Sequence, residues 1–165
     1  MKTLETERLI LRDWILSDLD DFSEIWMNPN VTVPHGDNPK HSKNECLPML
    51  EYLINVKNNY AIEIKTTGKV IGTVGLNEDA DNNPDGRNLG YMLNETYWNN
   101  GFIQEALNAI ITNASETTSF LSVGFWHDNE NPKSQHIIKK LGFKYDKTII
   151  SSERYFDYYV LDLRN

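Results

Sequence analysis

Leu89-Gly90-Tyr91-Met92-Leu93-Asn94-Glu95-Thr96-Tyr97-Trp98-Asn99-Asn100-Gly101-Phe102 carries more structural information than any other stretch of this chain. It reads as a strand, a short loop, a glycine and the start of a helix. Arg87 to Leu93 supplies the strand. Gly101 to Ala114 supplies the helix, with Phe102, Ala106, Ala109 and Ile110 expected on one face. At such a junction the loop amides and the first helical N–H groups have no backbone acceptors. They point one way, and the helix dipole adds positive potential. The result is an anion site suited to a pyrophosphate. Gly101 lets the backbone approach closely because it has no Cβ. No Lys or Arg lies in the segment, and backbone donors alone require none. On spacing alone the segment is equally a helix that starts after a glycine turn.

Outward from this junction the chain alternates hairpins and helical crossovers. Arg8 to Trp14 alternates like a strand. Ser17 or Asp18 can cap a helix reaching about Met27, with Leu19, Phe22, Ile25 and Trp26 at helical spacing and Asn28-Pro29-Asn30 ending it. Pro34 to His41 reads as a loop. A second helix is expected from about Ser42 to Asn58, with Pro48 inside it as a kink or a later start. Tyr60 to Lys65 and Lys69 to Leu76 form a hairpin around Thr66-Thr67-Gly68. Asn77 to Gly86 is an acidic loop. Ser119 to Trp126 is a strand, and Asp128 to Pro132 a turn. A helix then runs from Pro132 or Lys133 to Gly142, and Phe143 to Ile150 and Tyr155 to Leu163 close the chain as strands. This order predicts a mixed α+β sheet with helices on its faces, in one domain over residues 1–165.

A second cluster follows downstream. Asn131-Pro132-Lys133-Ser134 opens a helix that leads to Lys140-Leu141-Gly142-Phe143. Asn131 can cap that helix, or offer its amide to a ligand. Ser134 lies in the first turn, where its hydroxyl faces either a ligand or solvent.

Composition narrows the function. The 165 residues carry 16 basic and 24 acidic side chains, a net charge of -8. Nucleic acid is a poor partner for such a chain, since phosphate binding needs clustered Lys and Arg. A cationic substrate suits it, although an acidic surface also simply confers solubility. The longest apolar run is Tyr158-Tyr159-Val160-Leu161, against the roughly 20 residues of a membrane span. Cys46 is the sole cysteine, so an internal disulfide is excluded. No signal-peptide pattern is read at the N-terminus, so the three Asn-x-Ser/Thr matches at Asn30, Asn94 and Asn113 are taken as chance and a cytoplasmic location is expected. The four histidines and Cys46 show no metal-ligand spacing. Gly-x-Ser-x-Gly, Walker and dinucleotide glycine patterns are absent.

Taken together, the clusters resemble the GNAT acetyltransferases, in particular the Rim-type branch that acetylates the N-termini of ribosomal proteins. That branch shows Ile-Gly-Tyr-x-Leu, Tyr-Trp-Gly-Lys-Gly-Tyr-Ala, Glu-Ala, Glu-Asn-x-x-Ser and Lys-Leu-Gly-Phe in order. This chain has Leu89–Leu93, Tyr97 to Ile103, Glu105-Ala106, Glu130 to Ser134 and Lys140–Phe143 in the same order. Thr6 to Arg12 is similar to the branch's first strand, and Gly68 to Leu76 to its central hairpin. The resemblance implies a GNAT fold, a central mixed twisted sheet of about seven strands flanked by about four helices. It implies acetyl-CoA as cosubstrate, no metal, and transfer of the acetyl group to a primary amine, either a protein N-terminus or a small molecule. It leaves the oligomeric state open, a homodimer included.

The same resemblance assigns roles. Leu93 and Asn94 would pair their backbone with the pantetheine arm. Trp98, Asn99, Asn100, Gly101, Phe102 and Ile103 would form the pyrophosphate loop. Asn131 would bind the pantetheine, and Ser134 would sit near the sulfur as the thiolate's proton donor. Glu78, after the hairpin strand, is a candidate base, with a solvated loop carboxylate as the plainer alternative. Glu63 is a weaker one. Asn88 stands where the branch often has Glu, and an amide cannot take a proton at neutral pH. Trp14, Trp26, His35 and Tyr155 are expected around the acceptor, although aromatics at helical spacing are more often core. The chain departs from the branch at Asn99 and Asn100, in place of Gly and Lys, and at Ile103, a branched residue where a small one is usual. These departures keep a second reading open, a catalytically silent module that binds acyl-CoA or a protein partner.

Overall fold

A computed structural model describes residues 1–78, 85–117, 119–128, 132–151 and 154–164. The described elements are β1 (Leu4–Glu5), β2 (Leu9–Arg12), α1 (Leu19–Trp26), α2 (Pro29–His35), α3 (Lys43–Val56), β3 (Asn59–Ile64), β4 (Val70–Glu78), β5 (Gly86–Leu93), α4 (Phe102–Thr117), β6 (Ser122–Asp128), α5 (Pro132–Lys140), β7 (Lys144–Ser151) and β8 (Arg154–Asp162). The strand order is β1-β2-β3-β4-β5-β6-β8-β7. The pairs are antiparallel between β1 and β2, β2 and β3, β3 and β4, β6 and β8, and β7 and β8, and parallel between β5 and β6. The α+β expectation is met, with eight strands rather than about seven and five α-helices rather than about four. The extra strand, β1, is two residues long and too short to show a period.

The chain forms two compact units, residues 1–75 with 91–110, and residues 76–90 with 111–165. In the first, α1 and α3 bury Phe22, Ile25, Trp26, Cys46, Leu50 and Leu53 together with Trp14, Ala61, Val70 and Met92. Phe22 packs edge-on to Trp14 and stacked on Trp26, with centroids 5.1 and 5.5 Å apart. Asp21 on α1 accepts from the Val70 backbone N–H at 2.7 Å and pairs with Lys69 at 2.8 Å, which ties the helix to β4.

Four local expectations change. Strand β2 ends at Arg12, and a 3-10 turn at Leu16–Asp18 precedes α1. Asp18 does not cap α1 through its side chain; its carboxylate is used by two Arg12 bonds of 2.8 and 2.9 Å and by the Ile15 N–H. Asn28-Pro29-Asn30 is not merely a stop. Asn28 caps a further helix, α2, by accepting from Asn30 N, and Pro29 fits the first helical position, where no N–H is needed. Of the two outcomes expected at Pro48, the later start is not met: α3 starts at Lys43, capped by Ser42 as the expected start near Ser42 requires, and carries the proline within it.

In the second unit, β6 is covered along its length by β8, from Ser122↔Asp162 to Asp128↔Phe156. Helix α5 ends at Lys140, and Gly142 follows at φ 87°, the left-handed conformation expected of a terminating glycine. Among the described residues no helix is long and apolar enough to cross a membrane.

Candidate active site

Strand β5 leaves the first unit's sheet at Leu93, and the loop that follows is closed by its own side chains. Asn94 donates its N–H to Ile71 O at 2.7 Å. Its Oδ1 accepts from Thr96 N at 3.1 Å, and its Nδ2 donates to Glu24 Oε2 at 3.1 Å. Trp98 Nε1 donates to Leu93 O at 2.8 Å. Antiparallel pairing sends both backbone polar groups of one residue to the same side and those of the next residue to the other. Asn94 N–H faces β4, so Leu93 N–H faces away from β4. Of the backbone groups expected to meet pantetheine, Asn94 N–H and Leu93 O are already bonded within the fold, and Leu93 N–H points to the side away from β4.

Asn99, Asn100 and Gly101 form the turn into α4. Asn99 has φ 63° and Gly101 has φ 77°. Asn100 Nδ2 donates back to Trp98 O at 2.9 Å and to Tyr97 O at 3.3 Å. The last of these loop carbonyls is also held, since Arg8 Nη1 donates to Asn100 O at 3.0 Å. Glu105 N donates to Gly101 O at 3.1 Å. The amides of Phe102, Ile103 and Gln104 therefore precede the first helical bond and are the helix's orphan donors. A Cβ built on Gly101 would meet only Arg8 Nη2, at an ordinary contact distance of 3.5 Å, so the space beside the glycine would admit a β-carbon. Ile103 does not stand in it. Its side chain is 8 % exposed and belongs to the buried face with Ala106, Leu107, Ile110 and Ala114. Phe102, expected on that face, instead lies beneath the Arg8 guanidinium, 4.4 Å from centroid to Cζ. The backbone donors and the glycine fit a diphosphate.

No local pattern in the chain joins the two halves of the clamp behind this loop. The Glu105 carboxylate accepts from Thr6 Oγ1, from Arg8 N at 2.8 Å and from Arg8 Nε at 2.7 Å. Burial would raise its pKa, but the bonds from Thr6 and Arg8 outweigh this and hold it below the ordinary glutamate value. Thr6 and Arg8 are more than 90 residues from Glu105 in the chain, beyond the reach of any local pattern.

The proposed acceptor residues of the first unit divide. Trp14 and Trp26 are 2 % and 6 % exposed and belong to the core. His35 is exposed at the end of α2, with Nδ1 2.7 Å from Asp37 Oδ2. Glu63 is committed to an ion pair with Arg12.

In the second unit, Glu78 is the exposed last residue of β4. Most of the acidic loop that follows it lies outside the described residues, as does Asn131. Ser134 is the third residue of α5, and its side chain also lies outside them. Tyr155 is 57 % exposed on β8. Asn88 Oδ1 accepts from the Tyr158 hydroxyl at 3.2 Å. His127 is buried, and its Nδ1 has no partner among the described residues. Burial lowers its pKa, the Lys139 charge adds to this, and Asp157 opposes it. The imidazole is therefore neutral at neutral pH. Among the described residues no group of three or more His, Cys, Asp or Glu could hold a metal ion.

Residues 8–144 match the family model described as an acetyltransferase (GNAT) domain. An uncharacterized N-acetyltransferase, p20, from Bacillus licheniformis is 29 % identical over 173 residues, covering 99 % of this chain and 96 % of its own. The backbone is similar to that of RimL, a ribosomal L7/L12 alpha-N-protein acetyltransferase solved with coenzyme A, at TM-score 0.80, 15 % identity and 98 % coverage of each chain. It is also similar to spermidine N-acetyltransferase from Vibrio cholerae, solved with coenzyme A and spermine, at TM-score 0.81 and 17 % identity, covering 96 % of this chain and 98 % of that one.

Proposed function

Because the chain belongs to the GNAT acetyltransferase family, we propose that it transfers the acetyl group of acetyl-CoA to a primary amine, as one catalytic domain located in the cytoplasm. The observation that carries this reading is the turn into α4. Two left-handed residues, one of them a glycine, and first-turn amides with no intrahelical acceptor supply an anion cradle without a loop lysine. Bound there, acetyl-CoA supplies an acyl group activated as a thioester.

The chain's own groups have three tasks. Leu93 N–H donates to the carbonyl oxygen as negative charge develops on it. Glu78, acting through water, takes the proton that the attacking amine must lose when the new C–N bond forms. The Ser134 hydroxyl gives a proton to the sulfur as the C–S bond breaks. Asn131 holds the pantetheine amides. His35 and Tyr155, exposed as they are, are better placed to meet an acceptor than Trp14 and Trp26, whose role is to pack the acceptor-side helices.

The acceptor is an amine of positive overall character, in keeping with the chain's net charge of -8. Both kinds of acceptor that the names of the similar proteins give, a protein N-terminus and a polyamine, suit that description. Thiol release from acetyl-CoA, measured against N-terminal peptides, polyamines, aminoglycosides and amino acids, tests the reading. Turnover with one class identifies the acceptor. Coenzyme binding without turnover on any amine would favour the second reading, a silent acyl-CoA-binding module. One observation supports that second reading: Asn88, where the branch often has Glu, is an amide bonded to Tyr158 and offers no base.

A further inference from the structure

Arg8, just before β2, brings a cation to the loop that opens α4. Its guanidinium is fixed on three sides. Nε donates to Glu105 Oε2 at 2.7 Å and Nη1 to Asn100 O at 3.0 Å, and the Phe102 ring lies against Cζ at 4.4 Å. Nη2 has no partner among the described residues. It is the atom nearest the position a Cβ on Gly101 would take, at 3.5 Å. The side chain is 42 % exposed, so that free edge is open to a ligand.

This arrangement matters for binding. A guanidinium already held by packing and hydrogen bonds loses little further freedom when it takes another partner. Glu105 uses both oxygens on Thr6 and on the Arg8 backbone N and Nε, and so leaves the Nη2 donors unclaimed. Backbone amides at α4 supply partial charges, whereas Nη2 would add a charge-assisted bond, about twice as strong as a neutral one.

We infer that Arg8 is a phosphate-binding residue of the coenzyme site, donating through Nη2 to the diphosphate and replacing, from its place just before β2, the cation that the loop lacks at Asn100. The inference rests on the acetyl-CoA reading. It makes Arg8 a ligand residue, and Glu105 the residue that positions it.

Calorimetric titration of the native chain, Arg8→Gln and Arg8→Lys with coenzyme A, 3′-dephospho-coenzyme A and acetyl-pantetheine tests it, at low and high salt and alongside thermal melting. Arg8→Gln should weaken both diphosphate ligands about tenfold at low salt, with a smaller difference at high salt, and leave acetyl-pantetheine unchanged. Arg8→Lys should restore part of the loss. Equal affinity in the native chain and Arg8→Gln would overturn the assignment. So would an effect confined to the ligand with the 3′-phosphate, or equal weakening of acetyl-pantetheine, which would mark a role in shaping the loop alone. If the native chain itself bound no coenzyme A, the acetyl-CoA reading would fail, and not merely the role of Arg8.

Discussion

Asn99 and Gly101 occupy the two left-handed positions on either side of Asn100, at φ 63° and 77°. Asn is the residue after glycine that best tolerates this conformation, because its short amide can bond locally. The replacement of the branch's usual glycine by Asn99 therefore preserves the turn. Asn99→Gly should leave melting temperature and coenzyme affinity nearly unchanged. Asn99→Val should cost about 1–2 kcal/mol of stability and weaken coenzyme A binding. Thermal melts and titrations of the two variants check this, and equal behaviour of the two would show that the loop does not depend on the left-handed turn.

The Glu105 clamp gives a pH signature. Its pKa is held below the ordinary value, so its contribution to stability is complete above the unfolded-state pKa of about 4.3 and is lost as pH falls through the lower folded value. Chemical denaturation across that acidic range should show a steep loss for the native chain. Glu105→Gln should lower stability at neutral pH by roughly 1.5–3 kcal/mol and flatten the slope below pH about 4. An unchanged slope would mean the acid sensitivity lies with other carboxylates.

The element pattern and the glycine turn into α4 were legible because both are local: Gly101 before an apolar helix, and hairpins at short spacing, leave their mark within ten residues or so. What the sequence hid was long-range or conformational. The Arg8–Glu105 contact spans 97 positions. Ile103 looked like an obstruction at the helix start, yet one step along a helix rotates a side chain by about 100°, enough to turn it into the core. Trp14 and Trp26 read as either core or site by spacing, and only burial separates the two. Helix α2 was missed because Asn-Pro serves equally as a stop and as a cap followed by a first-turn proline.

His127 is the second titration marker. Its pKa is lowered from 6.5, first by burial and then by the Lys139 charge, against the pull of Asp157. The neutral ring therefore contributes stability that is fully present above pH about 6.5 and is lost as pH falls through the folded pKa. Proton NMR should place the His127 titration below the ordinary histidine value of 6.5. His127→Gln should remove the part of the stability loss that falls in this window. A His127 titration at or above pH 6.5 would contradict the buried neutral assignment.

Ser134 is assigned by its place in the family pattern and by its position in the first turn of α5. A proton donor to the leaving sulfur acts in the transition state more than in the ground state, so its loss should appear in kcat. Ser134→Ala should lower kcat by about 10²-fold while the KM for acetyl-CoA moves little. An unchanged kcat would remove the role. A rise in KM alone would make Ser134 a binding residue.

Gly124 on β6 makes room for Tyr158 on β8. A Cβ at Gly124 would collide with the Tyr158 hydroxyl and ring, so the phenol lies over bare backbone and reaches Asn88. Trp126 packs against the same ring, centroids 4.4 Å apart, so the ring has little freedom to retreat. Overpacking at such a contact costs about 1–3 kcal/mol, and displacing the ring would also break the bond to Asn88. Gly124→Ala should therefore lower the denaturation midpoint in the native background and do so much less in a Tyr158→Ala background. That difference is the coupling a double-mutant cycle isolates. If the two substitutions were additive, Gly124 would be small for some reason other than the ring that covers it.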